Sequence, residues 1–238
     1  ADPDALLAPP SANAAHRADP RPGSLFLNEP HLDFAIADER ERFLSALTHV
    51  RSNLGCHFPL VIGSDTVDTA DRVVSTNPAC PDEVIGTTAS ASAEHADAAV
   101  RAGYDAFGAW SARSASDRAA IVRRVADVLR RRRHELAALM VLEVAKSWAE
   151  ADADVAEAID FCRYYADCAE RLQGQPRVLG HYPGEANTLT HQPKGVGAVI
   201  APWNFPLAIL TGMTVAGLVT GNCMVIKPAE QSPIIAAM

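Results

Sequence analysis

The chain has 238 residues, 48% of them hydrophobic and 21% charged. That profile excludes a fully disordered chain and a coiled coil, and it leaves room for one large domain or two small ones. Its 21 basic and 29 acidic residues give a net charge of −8, which speaks against binding nucleic acid through bulk charge.

Proline dominates the first stretch, with Pro3, Pro9, Pro10, Pro20 and Pro22 among small and polar residues. That composition reads as a linker or tail over residues 1–27. Residues 34–53 read as a helix with Phe43, Leu44, Leu47 and Val50 on one side. Short β-like runs follow at 58–62, 72–75 and 83–87, separated by turn residues such as Gly63, Ser64, Asp65 and Pro78. They predict a small antiparallel element ahead of the main body.

Three helices come next. The first starts near Ser92, with Ala96, Ala99, Val100, Gly103, Phe107 and Trp110 at helical spacing. The second starts at Ser114, with Asp117 three places on as in a capping box. Its apolar stripe runs from Ile121 through Val125, Val128, Leu129, Leu136 and Leu139 to Met140. The arginine run 130–133 reads as a solvated face in so acidic a chain. The third covers 149–172, with Val155, Ile159, Cys162, Tyr165, Ala169 and Leu172 toward the core. Asp152, Asp154, Glu157 and Asp160 are placed mostly on other faces, as acids favoured near a helix start and not as a metal site.

From residue 187 the pattern turns to β. Segments 187–192 and 195–201 read as strands, 207–220 as a helix and 222–226 as a buried strand. Ser232 and Pro233 then read as N-cap and first helical position. No charge occurs between Lys194 and Lys227, yet the one helix there is shorter than the roughly 20 residues a membrane span needs. Two apolar strands joined by a helix make a βαβ unit with a parallel sheet. The expected class is α/β: N-terminal helices and a small β element leading into a truncated Rossmann-like parallel sheet.

The five cysteines, Cys56, Cys80, Cys162, Cys168 and Cys223, form no CxxC pair. They support neither a disulfide framework nor a zinc site, so a reducing, cytoplasmic setting is expected. No secretory signal is read at the start. Only Lys146, Lys194 and Lys227 are lysines, which makes a lysine at a functional position stand out.

Chemistry concentrates in residues 195–233. APWNFP ends one strand and KPAEQSP ends the next. Ligands of open parallel sheets bind outside the carboxyl ends of the strands. Asn204, held between Trp203 and Phe205 and bracketed by Pro202 and Pro206, offers a rigid, non-titrating donor of the kind an oxyanion requires. Lys227 and Glu230 offer a cation and an acceptor that can grip the adjacent hydroxyls of a ribose. A turn asparagine beside proline, and a strand-end cation with a helix-start acid, account for the same residues equally well.

PWNFP followed by GN-x-x-x-x-KPAEQSP resembles the cofactor-binding half of the NAD(P)-dependent aldehyde dehydrogenases. The segments NEPHLDF (28–34), STNPACPDEVIG (75–86), LEVAKSWAEADADVAEAIDFCRYYA (142–166) and TGMTVAGLVTGN (211–222) resemble one branch of that family. This is the L-glutamate γ-semialdehyde (1-pyrroline-5-carboxylate) dehydrogenases of proline breakdown. The resemblance covers residues 24–238.

It implies that Asn204 donates to the oxyanion of the thiohemiacetal intermediate. It implies that Ile200, Ala201, Pro202 and Trp203 line the nicotinamide and ribose side of an NAD cleft, and that Lys227 and Glu230 hold the adenosine ribose beside Pro228 and Ala229. In such enzymes a cysteine thiolate attacks the aldehyde, hydride passes to NAD⁺ and a glutamate-activated water releases the acid. That cysteine and glutamate are expected beyond Met238, so residues 28–238 read as the incomplete N-terminal part of the NAD-binding domain, inactive by itself. Cys223 reads as a buried small side chain where relatives carry threonine, Ala145 stands where they commonly carry glycine, and Gly63-Ser64-Asp65 replaces a Gly-Gly-Glu turn.

A homo-oligomer is expected of the full-length protein, with 187–192 where relatives have a projecting hairpin, and a proline dehydrogenase domain ahead of residue 1 is a further possibility. Two rivals stand: another branch of the family, such as one for succinate semialdehyde, and a non-catalytic oligomerisation module.

Overall fold

A computed structural model describes residues 26–180 and 182–238; the expected linker lies almost wholly outside them. Phe26 and Leu27, its last two residues, are docked on the long helix described below. The Phe26 ring meets Tyr164 edge-on at 5.4 Å and lies under Arg163, which donates to the Leu27 carbonyl.

The first helix, α1 (Ala37–Ser52), buries Phe43 and Val50 as expected, while Leu44 faces solvent. Five strands follow: β1 (Cys56–Phe58), β2 (Leu60–Ile62), β3 (Asp65–Val67), β4 (Arg72–Asn77) and β5 (Cys80–Ala89). The single run expected at 58–62 is split at Pro59, which has no N–H to give a ladder. β1 and β2 therefore join different sheets. β2 pairs with β3 in an antiparallel hairpin. β1 runs parallel to β5, and β4 antiparallel to it. The element is thus mixed, not purely antiparallel.

Helices α2 (Ala93–Ser111), α3 (Ala115–Arg131), α4 (Arg133–Val144) and α5 (Trp148–Gln173) form the body. Ser92, Ser114 and Ser147 cap α2, α3 and α5 by accepting from backbone N–H groups three residues on. The expected single helix from 114 to 140 is broken at Arg132 (φ −95°, ψ 11°). The break brings Arg133 inward. Its guanidinium is buried against Asp152, with Nε to Oδ1 at 2.6 Å and the second nitrogen to Oδ2 at 2.8 Å. Arg130 grips the buried Glu29 and Arg132 grips Glu135. The arginine run is therefore not a simple solvated face: Arg133 is buried, Arg130 and Arg132 are paired and partly exposed, and Arg131 faces solvent.

Asp152 and Asp154 are correspondingly core residues, each about 1% exposed, and not outward-facing acids. Each is affordable there because donors meet both oxygens. Asp152 also accepts from the Leu32 N–H, and Asp160 from Asn28 and the Glu29 N–H. The segment 28–34 is thereby strapped along α5. Phe34 completes the strap, meeting Phe43 and Trp148 edge-on. Leu172, expected in the core, is exposed.

A short hairpin of β6 (Arg177–Val178) and β7 (Thr188–Leu189) leads to the βαβ unit: β8 (Val196–Ile200), α6 (Ala208–Val219) and β9 (Cys223–Lys227), then α7 (Pro233–Ala237). β8 and β9 are parallel, with Val196 opposite Cys223 and Ile200 opposite Lys227. A Cβ at Gly103 of α2 would meet Val196 and Cys223, whereas one at Gly217 of α6 would meet Met224. Side chains alternate along a strand, so α2 and α6 cover opposite faces. α6 is held at its carboxyl end by three donors: Trp110 to the Leu218 carbonyl, Arg118 to Val219 and Gln173 to Thr220. Gly212 brings it against α5, where any Cβ would lie 2.8 Å from the Phe161 ring.

Between α4 and α5, Ala145 adopts φ 54°, ψ 33°, a left-handed conformation that costs an L-residue with a Cβ about 1–2 kcal/mol. This is the physical reason a glycine suits the position. Ala145→Gly is expected to raise the unfolding free energy by about 1 kcal/mol after glycine's own entropy cost, measured by urea titration of the purified protein.

Candidate active site

The two motifs end on neighbouring strand tips. Ile200 and Lys227 are the last residues of β8 and β9 and are register partners, so their side chains leave the same face of the sheet, with backbones roughly 4.8 Å apart. Both are exposed, Ile200 by 68%. Beyond Ile200, Ala201 is buried and Pro202, Trp203 and Asn204 face solvent in a bend. Beyond Lys227, Pro228 is half-buried, Ala229 is buried and Glu230 is exposed. Lys227 Nζ lies 3.0 Å from Glu230 Oε2. Its own backbone N–H and then that ammonium hold the Glu230 carboxyl below the usual carboxylate range. The pair is charged, solvated and at the mouth of the sheet. All nine residues singled out in the sequence thus lie along one rim.

Each tip is tied down from behind by a buried carboxylate. Asp154 on α5 accepts at Oδ1 from the Ala208 N–H, 2.6 Å away, at the start of α6. Its Oδ2 receives Lys146 Nζ at 2.6 Å. The same ammonium stands 4.1 Å from the centroid of the Phe205 ring. Burial pushes the Asp154 carboxyl up, against the pull of Lys146 and the Ala208 N–H.

Glu143 on α4 does the corresponding work for the second tip. It accepts from the Ile234 and Ile235 N–H groups, each at 2.8 Å, and from Ser75 Oγ at 2.9 Å. The expected cap, Ser232, sits at the N-cap position without capping: its hydroxyl is buried and finds no hydrogen-bond partner. Glu143, reaching across from another helix, takes over that function. Sequence reading missed Lys146, Asp154 and Glu143 as parts of the site. The scarcity of lysine was the one available signal for Lys146.

The described residues also constrain where a nucleophile can come from. Cys162 is fully buried, and burial pushes its thiol up to about 12. Cys223 is half-buried, with its thiol also raised by burial. It opens β9, roughly 13 Å of strand away from Lys227. Cys56 and Cys80 are exposed on the small sheet. Among the described residues, no group of three or more His, Cys, Asp or Glu is placed to hold a metal ion, and no helix is long and apolar enough to cross a membrane.

The aldehyde dehydrogenase family profile matches residues 66–238, which include this βαβ unit and both motifs; the chain belongs to the aldehyde dehydrogenase family. Among its relatives, the 1-pyrroline-5-carboxylate dehydrogenase of Geobacillus kaustophilus (strain HTA426) is 47% identical over 211 residues, 89% of this chain and 41% of that protein. The crystal structure of 1-pyrroline-5-carboxylate dehydrogenase from Thermus with bound NAD superposes with a TM-score of 0.87 at 46% identity, over 90% of this chain and 42% of that one. Proline utilization A from Bdellovibrio bacteriovorus superposes with a TM-score of 0.88 at 44% identity, over 92% of this chain and 23% of that one. The chain therefore spans about two-fifths of the dehydrogenases it matches.

Two expectations follow. Burial holds the Glu143 carboxyl above its ordinary value of 4.5. The unfolded chain thus releases this proton before the folded one. The stability Glu143 confers is complete below pH 4.5 and is lost as pH rises through the folded value. Glu143→Gln cannot ionise and lacks this decline, so urea unfolding from pH 4.5 upward is expected to show the gap between wild type and variant narrowing. Thiol labelling of the native protein at about pH 8, read by peptide mass spectrometry, is expected to modify Cys56 and Cys80 and to leave Cys162 untouched until the protein unfolds.

Proposed function

We propose that this chain is the cofactor-facing part of an NAD-dependent dehydrogenase that oxidises L-glutamate γ-semialdehyde, in equilibrium with 1-pyrroline-5-carboxylate, to glutamate. The observation that carries the reading is the convergence of the Asn204 turn and the Lys227–Glu230 pair on one rim, in register on adjacent parallel strands. The 46–47% identity to 1-pyrroline-5-carboxylate dehydrogenases over nine-tenths of the chain supports the substrate class.

The donor set suits a dinucleotide. A ribose presents two adjacent hydroxyls, each both donor and acceptor. Lys227 would donate to their oxygens and Glu230 would accept hydrogen bonds from their hydroxyls, with Pro228 and Ala229 as the wall. Ile200, Ala201, Pro202 and Trp203 offer an apolar edge toward the nicotinamide side. The chemistry the cofactor supplies when bound is hydride acceptance.

Asn204 holds a neutral amide N–H toward the aldehyde oxygen. It stabilises the negative charge that develops there without giving up a proton of its own. The two flanking prolines limit the turn's motion, so little reorganisation is needed as the charge grows. The thiolate and the base are assigned to residues outside this chain. Cys162 is sealed and protonated, and Cys223 lies at the far end of its strand.

A cytoplasmic setting fits the five free cysteines. Assembly with further copies fits the β6–β7 hairpin, on which Val178 and Leu189 are exposed. A second reading places a proline dehydrogenase upstream in the same polypeptide. The match to proline utilization A favours it, and the coding sequence ahead of residue 1 decides it.

In the intact protein, Asn204→Ala is expected to lower kcat with 1-pyrroline-5-carboxylate about 10²–10³-fold while the KM for NAD⁺ stays near wild type. NADH formation followed at 340 nm checks this. Faster turnover of succinate semialdehyde by the unmodified protein overturns the assigned branch, and an unchanged kcat in the variant overturns the assigned role of Asn204.

A further inference from the structure

We propose that Lys146 is a positioning residue for Asn204: its ammonium, anchored on Asp154, clamps the turn that presents the amide. The inference rests on the reading above for its link to catalysis, but its geometry stands by itself.

Four groups form a closed circuit around the turn. The Phe205 ring lies against the Lys146 ammonium. Lys146 Nζ is bound to Asp154 Oδ2. The other oxygen of Asp154 takes the Ala208 N–H. The chain from Phe205 to Ala208 closes the circuit, tightened by the Ile209 N–H on the Phe205 carbonyl. Asn204 is exposed and immediately precedes the clamped ring. Its direction is therefore set by the backbone on either side and not by packing around its own side chain.

Burial makes the clamp stiff. The Asp154 side chain is fully buried and that of Lys146 is 10% exposed, so the ion pair is weakly screened, and the buried ammonium meets the Phe205 ring from its inner side while that ring remains 41% exposed. The left-handed residue Ala145 turns the chain out of α4 just before Lys146, which directs the side chain back toward the turn. A lysine serving only to balance the buried charge of Asp154 has no need of the ring. Its place over Phe205 couples the pair to the residue beside the amide donor.

The test uses the intact protein and three variants. Hydrogen exchange of peptides spanning residues 203–209 is compared with peptides from β9. In Lys146→Met, exchange at 203–209 is expected to rise about tenfold while β9 is unchanged. Lys146→Arg, which keeps the cation, restores exchange to within about threefold of wild type. In the same Met variant, kcat falls about tenfold to a hundredfold with KM for NAD⁺ within about twofold. If Lys146→Met fails to fold, Asp154→Asn takes its place, since the amide oxygen still receives the Ala208 N–H while the charge that anchors Lys146 is gone.

Unchanged exchange at 203–209 in a folded variant overturns the clamp, as does a uniform rise across all peptides, which marks a purely structural pair. Absence of aldehyde oxidation in the unmodified protein overturns the functional reading of the previous subsection and leaves the exchange comparison to decide the clamp.

Discussion

The rim of this molecule depends on two buried carboxylates that face backbone N–H groups. Asp154 holds the start of α6 and Glu143 holds the start of α7. Each sits directly behind a strand-tip loop, and each comes from the helical body and not from the sheet. The first N–H groups of a helix have no intrahelical partner, and a carboxylate is the strongest acceptor available to them. Taking two carboxylates out of water is costly, and the cost is tolerable only because donors meet every oxygen. Leaving a buried donor or acceptor unsatisfied costs about 1–3 kcal/mol, so the loops cannot drift from the helices without losing a sizeable part of a domain's stability.

This arrangement explains why the helical body and the sheet behave as one unit. The βαβ segment is small, with two strands and a single crossover helix. Its strands are exposed at their tips, and the tips carry the chemistry. Rigidity therefore has to be imported. α5 supplies it on one side, through Asp154 and through Gly212, which lets α6 approach the Phe161 ring. α4 supplies it on the other, through Glu143. The carboxyl end of α6 is pinned by Trp110, Arg118 and Gln173, from three different helices. A helix held at both ends transmits the position of α5 to the turn that holds Asn204.

Local pattern made part of this legible from sequence. The two apolar strands of the βαβ unit, its crossover helix and the cap at Ser114 express themselves within a few residues, and each was found where the pattern placed it. What escaped was set by partners far away in the chain. Asp152 meets Arg133 and the Leu32 N–H, and Asp154 meets Ala208. No helical periodicity reveals such pairings, and an acid near a helix start reads as a solvated charge. Ser232 has every local mark of a capping residue. It was displaced by a glutamate 89 positions earlier, because a carboxylate outcompetes a hydroxyl for two N–H groups at once. The break at Arg132 was invisible for a related reason: arginine is a good helix former, and the chain turns there to bring Arg133 to its buried partner.

The same logic bears on the lysines. In a chain that uses arginine for nearly all its positive charge, two of the three lysines border the rim. Arginine's planar fork suits the bidentate grips on Glu29 and Asp152. At the rim the demands differ. Lys146 has to touch a single carboxylate oxygen and the face of a ring from a cramped position, and Lys227 has to stay mobile beside Glu230 in solvent. A compact ammonium on a flexible stem meets both demands.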